Sequence, residues 1–209
     1  MNIDEILLRL EAKYPTIRTA LNYSNAHELL FATILSAQCT DKRVNVVTEE
    51  LFAKYKTIED YAEADIEELK KIIHSTGFYN NKAKNIIGAA KKLRDEFDSE
   101  VPDSIEGLIT LPGVARKTAN VVLSVWFRKN EGIAVDTHVG RISSRLGITD
   151  ERVPEKIEKD LMKKIPNVKL GELSLRFVQF GRDVCQARKP KCSECPLNDI
   201  CPSAFKLEK

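Results

Sequence analysis

Apolar residues spaced three and four apart run through nearly the whole of this chain, and strand-like alternation is absent, so it can fold only as helices packed on helices. Leu29, Leu30, Ala32, Ile34 and Leu35 place one helix that ends near Gln38 and Cys39. Thr40 then caps a second, which carries Val44, Val47 and Leu51. Thr57 with Asp60, and Asp65 with Glu68, repeat the capping spacing and open two short helices. The stretch from Asn81 turns Ala83, Ile86, Ile87, Ala90, Leu93 and Phe97 inward, and Val101-Pro102 closes it. Trp126 is expected in the core, Cys39 as a small buried residue, and His27 and His74 as ordinary helix-surface or core histidines. The expectation is an all-α protein.

One interruption carries chemical meaning. Leu111-Pro-Gly-Val-Ala-Arg-Lys-Thr-Ala-Asn-Val-Val122 is a helix–hairpin–helix pattern: Pro112-Gly113 ends one helix at Leu111, and the turn exposes the orphan N–H groups that open the next. Such groups bind anions, phosphate among them. Ala119, Val121, Val122 and Val125 bury the second helix and leave Lys117 near its positive end. Asp136 follows closely, in Val135-Asp-Thr-His138. An amine and a carboxylate beside a phosphate-binding turn suggest chemistry on DNA. The plainer reading, that Lys117 only neutralises a phosphate, stays equally open on these residues.

Near the C-terminus stand Cys185, Cys192, Cys195 and Cys201, separated by six, two and five residues. No apolar signal segment opens the chain, so a reducing cytoplasm is expected and disulfides are disfavoured. Structural zinc usually joins two Cys-x-x-Cys pairs, and only Cys192-Ser-Glu-Cys195 is present. A 4Fe-4S cluster also takes four cysteinates and suits the uneven gaps better, with zinc the standing alternative. The 209 residues allow one domain or two small ones. A formal net charge of +2 does not by itself mark a nucleic-acid protein, so the clusters matter. Arg182, Arg188, Lys189 and Lys191 surround the first cysteines, and Arg116, Lys117, Arg141 and Arg145 accompany the hairpin and the segment after Asp136. The Lys/Glu-rich stretch 151–164 reads as a solvated face. No apolar run approaches membrane-spanning length, so no membrane partner is expected.

Taken together, the hairpin with Lys117, Val135-Asp-Thr-His138, Ile34-Leu-Ser-Ala-Gln38 and the Cys-x6-Cys-x2-Cys-x5-Cys spacing resemble the endonuclease III family of bifunctional DNA glycosylases and abasic-site lyases, over nearly the whole chain. Lys117 stands where adenine-specific relatives carry Ser and mismatch-specific relatives Tyr. The resemblance implies a two-domain helix-hairpin-helix DNA glycosylase fold with a C-terminal iron–sulfur cluster loop. Its parts would be a six-helix barrel-like domain over 20–130 and a cluster domain made of 1–19 plus 131–209. It also implies a 4Fe-4S cluster on the four cysteines, Lys117 as Schiff-base nucleophile, Asp136 as second catalytic residue, and oxidised pyrimidines in double-stranded DNA as substrate. The enzyme would be a monomer, cytoplasmic and nucleoid-associated through DNA.

By the same resemblance, Gln38 and Phe78 match positions that insert into DNA. Members commonly carry Leu at the second, and a core aromatic is an equally open reading of Phe78. Gly113 and Ala115 belong to the phosphate-binding turn, where glycine is more usual than Ala115. A methyl there narrows the approach of phosphate and disfavours a left-handed backbone. His138 is expected to contact phosphate or the orphaned strand, and Arg188, Lys189 and Lys191 to contact phosphate. The rivals at this stage are a non-catalytic DNA-binding module and a monofunctional mismatch glycosylase that keeps Lys117 for phosphate alone.

Overall fold

Residues 2–206 are described in a computed structural model, and among them every regular element is a helix. The capping residues start helices where the sequence placed them. The Thr40 hydroxyl accepts from Arg43 N–H to open α3 (Asp41–Lys54), and Thr57 and Asp60 form a reciprocal capping box on α4 (Ile58–Ala62). Asp65 caps α5 (Ile66–Ile73), accepting from Glu68 N–H at 2.8 Å. The chain divides into two compact units: Thr19–Arg128, and residues 2–18 together with 129–206.

In the first unit, α2 (Ala26–Leu35) is buried from Glu28 to Leu35 on every side, as expected of a helix apolar all round. The 18-residue α6 (Tyr79–Glu96) packs against α2, α4 and α5. Phe31, Leu35, Leu51, Tyr61, Leu69, Ile86 and Leu93 fill the space between them. Each fully buried leucine contributes about 1.5–3 kcal/mol relative to an exposed one. The helix begins at Tyr79, two residues before the predicted stretch, because Phe78 adopts a left-handed conformation (φ 49°) and turns the chain there. The most deeply buried charged side chain of this unit is Lys82, only 4% exposed, which donates from Nζ to the Leu35 and Thr76 carbonyls at 2.7 and 2.8 Å. Burial pushes its pKa down, and the nearby Cys39 partly offsets this.

The second unit joins the two ends of the sequence. α1 (Ile3–Lys13) and α9 (Thr137–Arg145) both pack on α11 (Asn167–Asp183), and Ile6, Leu10, Val139, Ile142, Leu161, Phe177 and Phe180 form the core, to which α10 (Pro154–Lys164) contributes Leu161. Outside Ile157, Glu158 and Leu161, the stretch 151–164 is mostly exposed, in line with its reading as a solvated face. Arg9 of α1 donates to the Pro196 carbonyl at 3.0 Å and to Asp199 at 2.6 Å, tying the first helix to the cysteine loop.

Candidate active site

The hairpin lies between α7 (Ile105–Leu108) and α8 (Arg116–Val122). Gly113 is left-handed, with φ 79°, and a Cβ on it would stand 2.7 Å from Cβ of Asn85 in α6, so both backbone and space require glycine. Gly88, one turn further along α6, receives Pro112, whose Cγ would lie 3.2 Å from an added Cβ. The turn is therefore seated on one helix. Ala115 corrects an expectation: it is the N-cap of α8 in extended backbone, φ −88° and ψ 168°, which any residue adopts. Its methyl costs no strain, and only the narrowed approach to the turn remains. Ala115→Gly is therefore expected to keep or raise DNA affinity, with stability within about 1 kcal/mol of the parent. A large loss of affinity by a folded variant, in equilibrium binding, would assign the methyl a packing role of its own.

Lys117 is the second residue of α8 and is exposed, whereas Ala119, Asn120 and Val122 on the same helix are buried. The helix then widens into a π turn, Leu123–Phe127. That turn overturns the core placement of Trp126, which is 39% exposed and lies edge-on to Tyr23 with ring centroids 6.1 Å apart.

Asp136 is the N-cap of α9. Its Oδ1 accepts from the N–H groups of both His138 and Val139 at 2.8 Å, so the cap engages one carboxylate oxygen. The signal was available in the sequence, since aspartate before a helix is a preferred N-cap. His138 is half-buried against α11 at Gly181, where an added Cβ would come within 2.4 Å of its Nδ1. Arg141 Nη2 lies 3.1 Å from that nitrogen. Because a guanidinium only donates, this contact is a hydrogen bond when Nδ1 is the acceptor.

The two expected inserting residues are both at the surface. Gln38 is exposed with φ 54°, and Phe78, 63% exposed with φ 49°, is not a core aromatic. Neither is glycine, so each holds a left-handed backbone at a cost of about 1–3 kcal/mol. Cys39 beside Gln38 is half-buried against the core edge.

The four cysteines gather round one space. Cys185, Cys192, Cys195 and Cys201 line one pocket whose walls include Leu146, Phe180, Val184, Pro190 and Ala204. Burial, and secondarily the other three sulfurs, pushes the Cys195 thiol up to about 11, and burial raises Cys201 as well. Four thiolates gathered in one place would repel one another unless a cationic centre binds them. Four cysteine sulfurs lining one pocket are a donor set that fits an iron–sulfur cluster.

Two arginines grouped with the DNA-facing charges by sequence serve this loop instead. Arg145 donates to the Cys185 sulfur at 3.3 Å and to the Gln186 and Ala187 carbonyls at 2.7 and 2.9 Å, and Arg141 donates to the Cys185 and Gly181 carbonyls. Arg188, Lys189 and Lys191 remain exposed on the loop surface.

A hairpin-bearing helical body followed by a cysteine-gathered loop defines a helix–hairpin–helix base excision repair protein. Residues 31–167 match the model of the HhH-GPD superfamily base excision DNA repair proteins, and residues 185–201 match the iron–sulfur binding domain of endonuclease III. Endonuclease III of Synechocystis sp. is 54% identical over 200 residues, 96% of this chain and 91% of that protein. A solved non-covalent endonuclease III–DNA complex superposes with a TM-score of 0.91 at 44% identity, covering 98% of this chain and 95% of that one. A trapped endonuclease III–DNA covalent intermediate superposes at 0.93 and 43% identity, over the full length of both chains. The chain belongs to the endonuclease III family of DNA glycosylase/abasic-site lyases, and its cofactor is a 4Fe-4S cluster. Among the described residues, no helix is long and apolar enough to cross a membrane.

Proposed function

We propose that this protein excises oxidised pyrimidines from duplex DNA and cleaves the strand at the abasic site it makes, with Lys117 as nucleophile and Asp136 as its electrostatic partner. The observation that carries the assignment is an exposed amine in the first turn of the helix behind the phosphate-binding hairpin, in a chain of this family. As the glycosidic bond breaks, its electron pair leaves with the base, and positive charge develops on the sugar. A fixed carboxylate stabilises that state more than the neutral ground state. The Lys117 amine bonds to C1′, and opening of the sugar ring gives an imine. The imine acidifies the C2′ proton; a base removes it, the C3′–O bond breaks, and the 3′ phosphate departs on the downstream strand. Hydrolysis of the imine returns the amine. Asp136 serves the first step and accepts protons in the later ones.

Gln38 and Phe78 enter the stack as the lesion leaves it, the unstacking costing a few kcal/mol. Gly113 and Ala115 present backbone donors to phosphate, and His138 contacts the DNA backbone or the orphaned strand. Cys185, Cys192, Cys195 and Cys201 would hold the cluster, which when bound acts as a cross-link shaping the loop of Arg188, Lys189 and Lys191. The protein works as a monomer in the cytoplasm, at the nucleoid. Borohydride trapping on abasic and thymine-glycol duplexes tests the activity: a covalent adduct on both is expected, and its absence on both would leave only a DNA-binding module.

The loop makes a separate prediction. Reversing Arg188, Lys189 and Lys191 to Glu is expected to weaken binding to lesion-bearing and plain duplexes alike, and to reduce the salt slope by about one for each phosphate no longer neutralised. A weakening confined to lesion DNA would place these side chains in lesion recognition instead.

A further inference from the structure

Lys82 has no part in the chemistry above, yet it touches the segments just before both proposed inserting residues, Gln38 and Phe78. Its Nζ reaches the carbonyl of Leu35, the last residue of α2, three positions before Gln38. The same nitrogen reaches the carbonyl of Thr76, two positions before Phe78, and its own backbone N–H donates to the Phe78 carbonyl at 3.1 Å. The second of these is the ordinary main-chain bond that opens α6; the first is made by the side chain alone. Helix-end carbonyls normally find water or a cap; here a buried ammonium satisfies two of them, and an apolar side chain in its place would leave both without that donor. What the ammonium adds is a pair of charge-assisted hydrogen bonds made at once, joining the end of α2 to the turn before α6. Non-glycine residues in left-handed backbone persist where the surroundings over-determine them, and these bonds do so at both places.

We propose that Lys82 is a positioning residue for DNA insertion, clamping the Leu35 and Thr76 carbonyls so that Gln38 and Phe78 project from the surface at a fixed spacing. This rests on the reading that those two side chains enter the duplex. Without the clamp each segment relaxes separately, and the cost of filling the stack is no longer met in advance by a preformed pair of wedges.

The test uses the full chain with its cluster. Lys82→Met is expected to slow excision from an intact duplex about tenfold in kcat/KM, about 1.4 kcal/mol on the barrier. It should also abolish the fluorescence rise of 2-aminopurine placed opposite the lesion. Mispairs flanking the lesion unstack the site beforehand and should restore the rate, an outcome that general loss of stability would not produce. Lys82→Gln, which keeps one amide donor, should lie between, and it carries the test if the Met variant does not fold. Equal slowing on intact and mispaired duplexes, or no slowing on either, would overturn the proposal. Gln38→Ala and Phe78→Ala separate the clamp from the reading beneath it. If they lose the 2-aminopurine signal while Lys82→Met keeps it, the clamp alone is wrong. If they keep it, the insertion reading fails and takes the clamp with it.

Discussion

Lys117→Gln should abolish the borohydride-trapped adduct and lower strand scission at abasic sites by about a thousandfold or more, roughly 4 kcal/mol on the barrier. An amide has no nucleophilic lone pair, so no imine forms and the C2′ proton is never acidified. Lesion-specific binding should survive. Lys117 is exposed in the first turn of α8, and substitutions at such positions usually change stability by no more than about 0.5 kcal/mol. Gel trapping on abasic duplexes together with equilibrium binding checks both halves. A variant that still formed the adduct would move the nucleophile to another amine, whereas one that lost binding along with scission would show Lys117 to be chiefly a phosphate contact.

Asp136→Asn separates charge from shape. Asn caps helices about as well as Asp, and its Oδ1 can still accept from the His138 and Val139 N–H groups that the carboxylate serves. α9 should therefore keep its start, and with it the guanidinium contacts from Arg141 and Arg145 to the cysteine loop. What disappears is the negative charge. Base excision should slow by roughly a hundred- to a thousandfold, as when one preorganised electrostatic group is removed. Cleavage of a pre-formed abasic site, whose electrophilic carbon already exists, should fall far less. Asp136→Ala adds loss of the cap, about 0.5–2 kcal/mol of stability, and should melt at a lower temperature than the Asn variant. Single-turnover rates on the two substrates decide the matter: equal losses would mean that Asp136 mainly holds α9 in place.

Much of the fold could be read from local chemistry, because caps and helix breakers act over three or four residues. Thr40, Thr57 with Asp60, Asp65 and the Pro112-Gly113 turn all stand where the sequence put them. The misses share one cause, which is that hydropathy records what a residue is and not which way the backbone aims it. Trp126 occupies an apolar position of a helical pattern, but the π turn over Leu123–Phe127 adds to the residues per turn and rotates it toward solvent. Phe78 suits core and surface equally by composition, and only its left-handed backbone sets its direction. Arg141 and Arg145 look like DNA-facing charges because guanidinium recognises phosphate, yet it binds backbone carbonyls as readily. Lys82 carries no signal at all, since a lysine one turn into a helix is usually a solvated one. Ala115 shows the opposite error: a missing glycine suggests a strained backbone, and the chain there is simply extended.

The joining of residues 2–18 with 129–206 also sets an order of events during translation. Thr19–Arg128 is contiguous and can begin to pack as soon as its last residues emerge. α1 emerges before it, but Ile6 and Leu10 share a core with residues of α9, α10 and α11, and Arg9, beyond its pairing with Glu5 inside α1, reaches Pro196 and Asp199. At about 5–20 residues per second, the apolar stripe of α1 is without those partners for something like ten to thirty seconds on the ribosome. Iron can be inserted productively only after Cys201 has emerged, because the Arg145 bonds and the α1 contacts that shape its seat form after the cysteines have appeared. A ribosome stalled before residue 185 would thus display a finished helical body bearing the hairpin and Lys117, ahead of a cluster loop that does not yet exist.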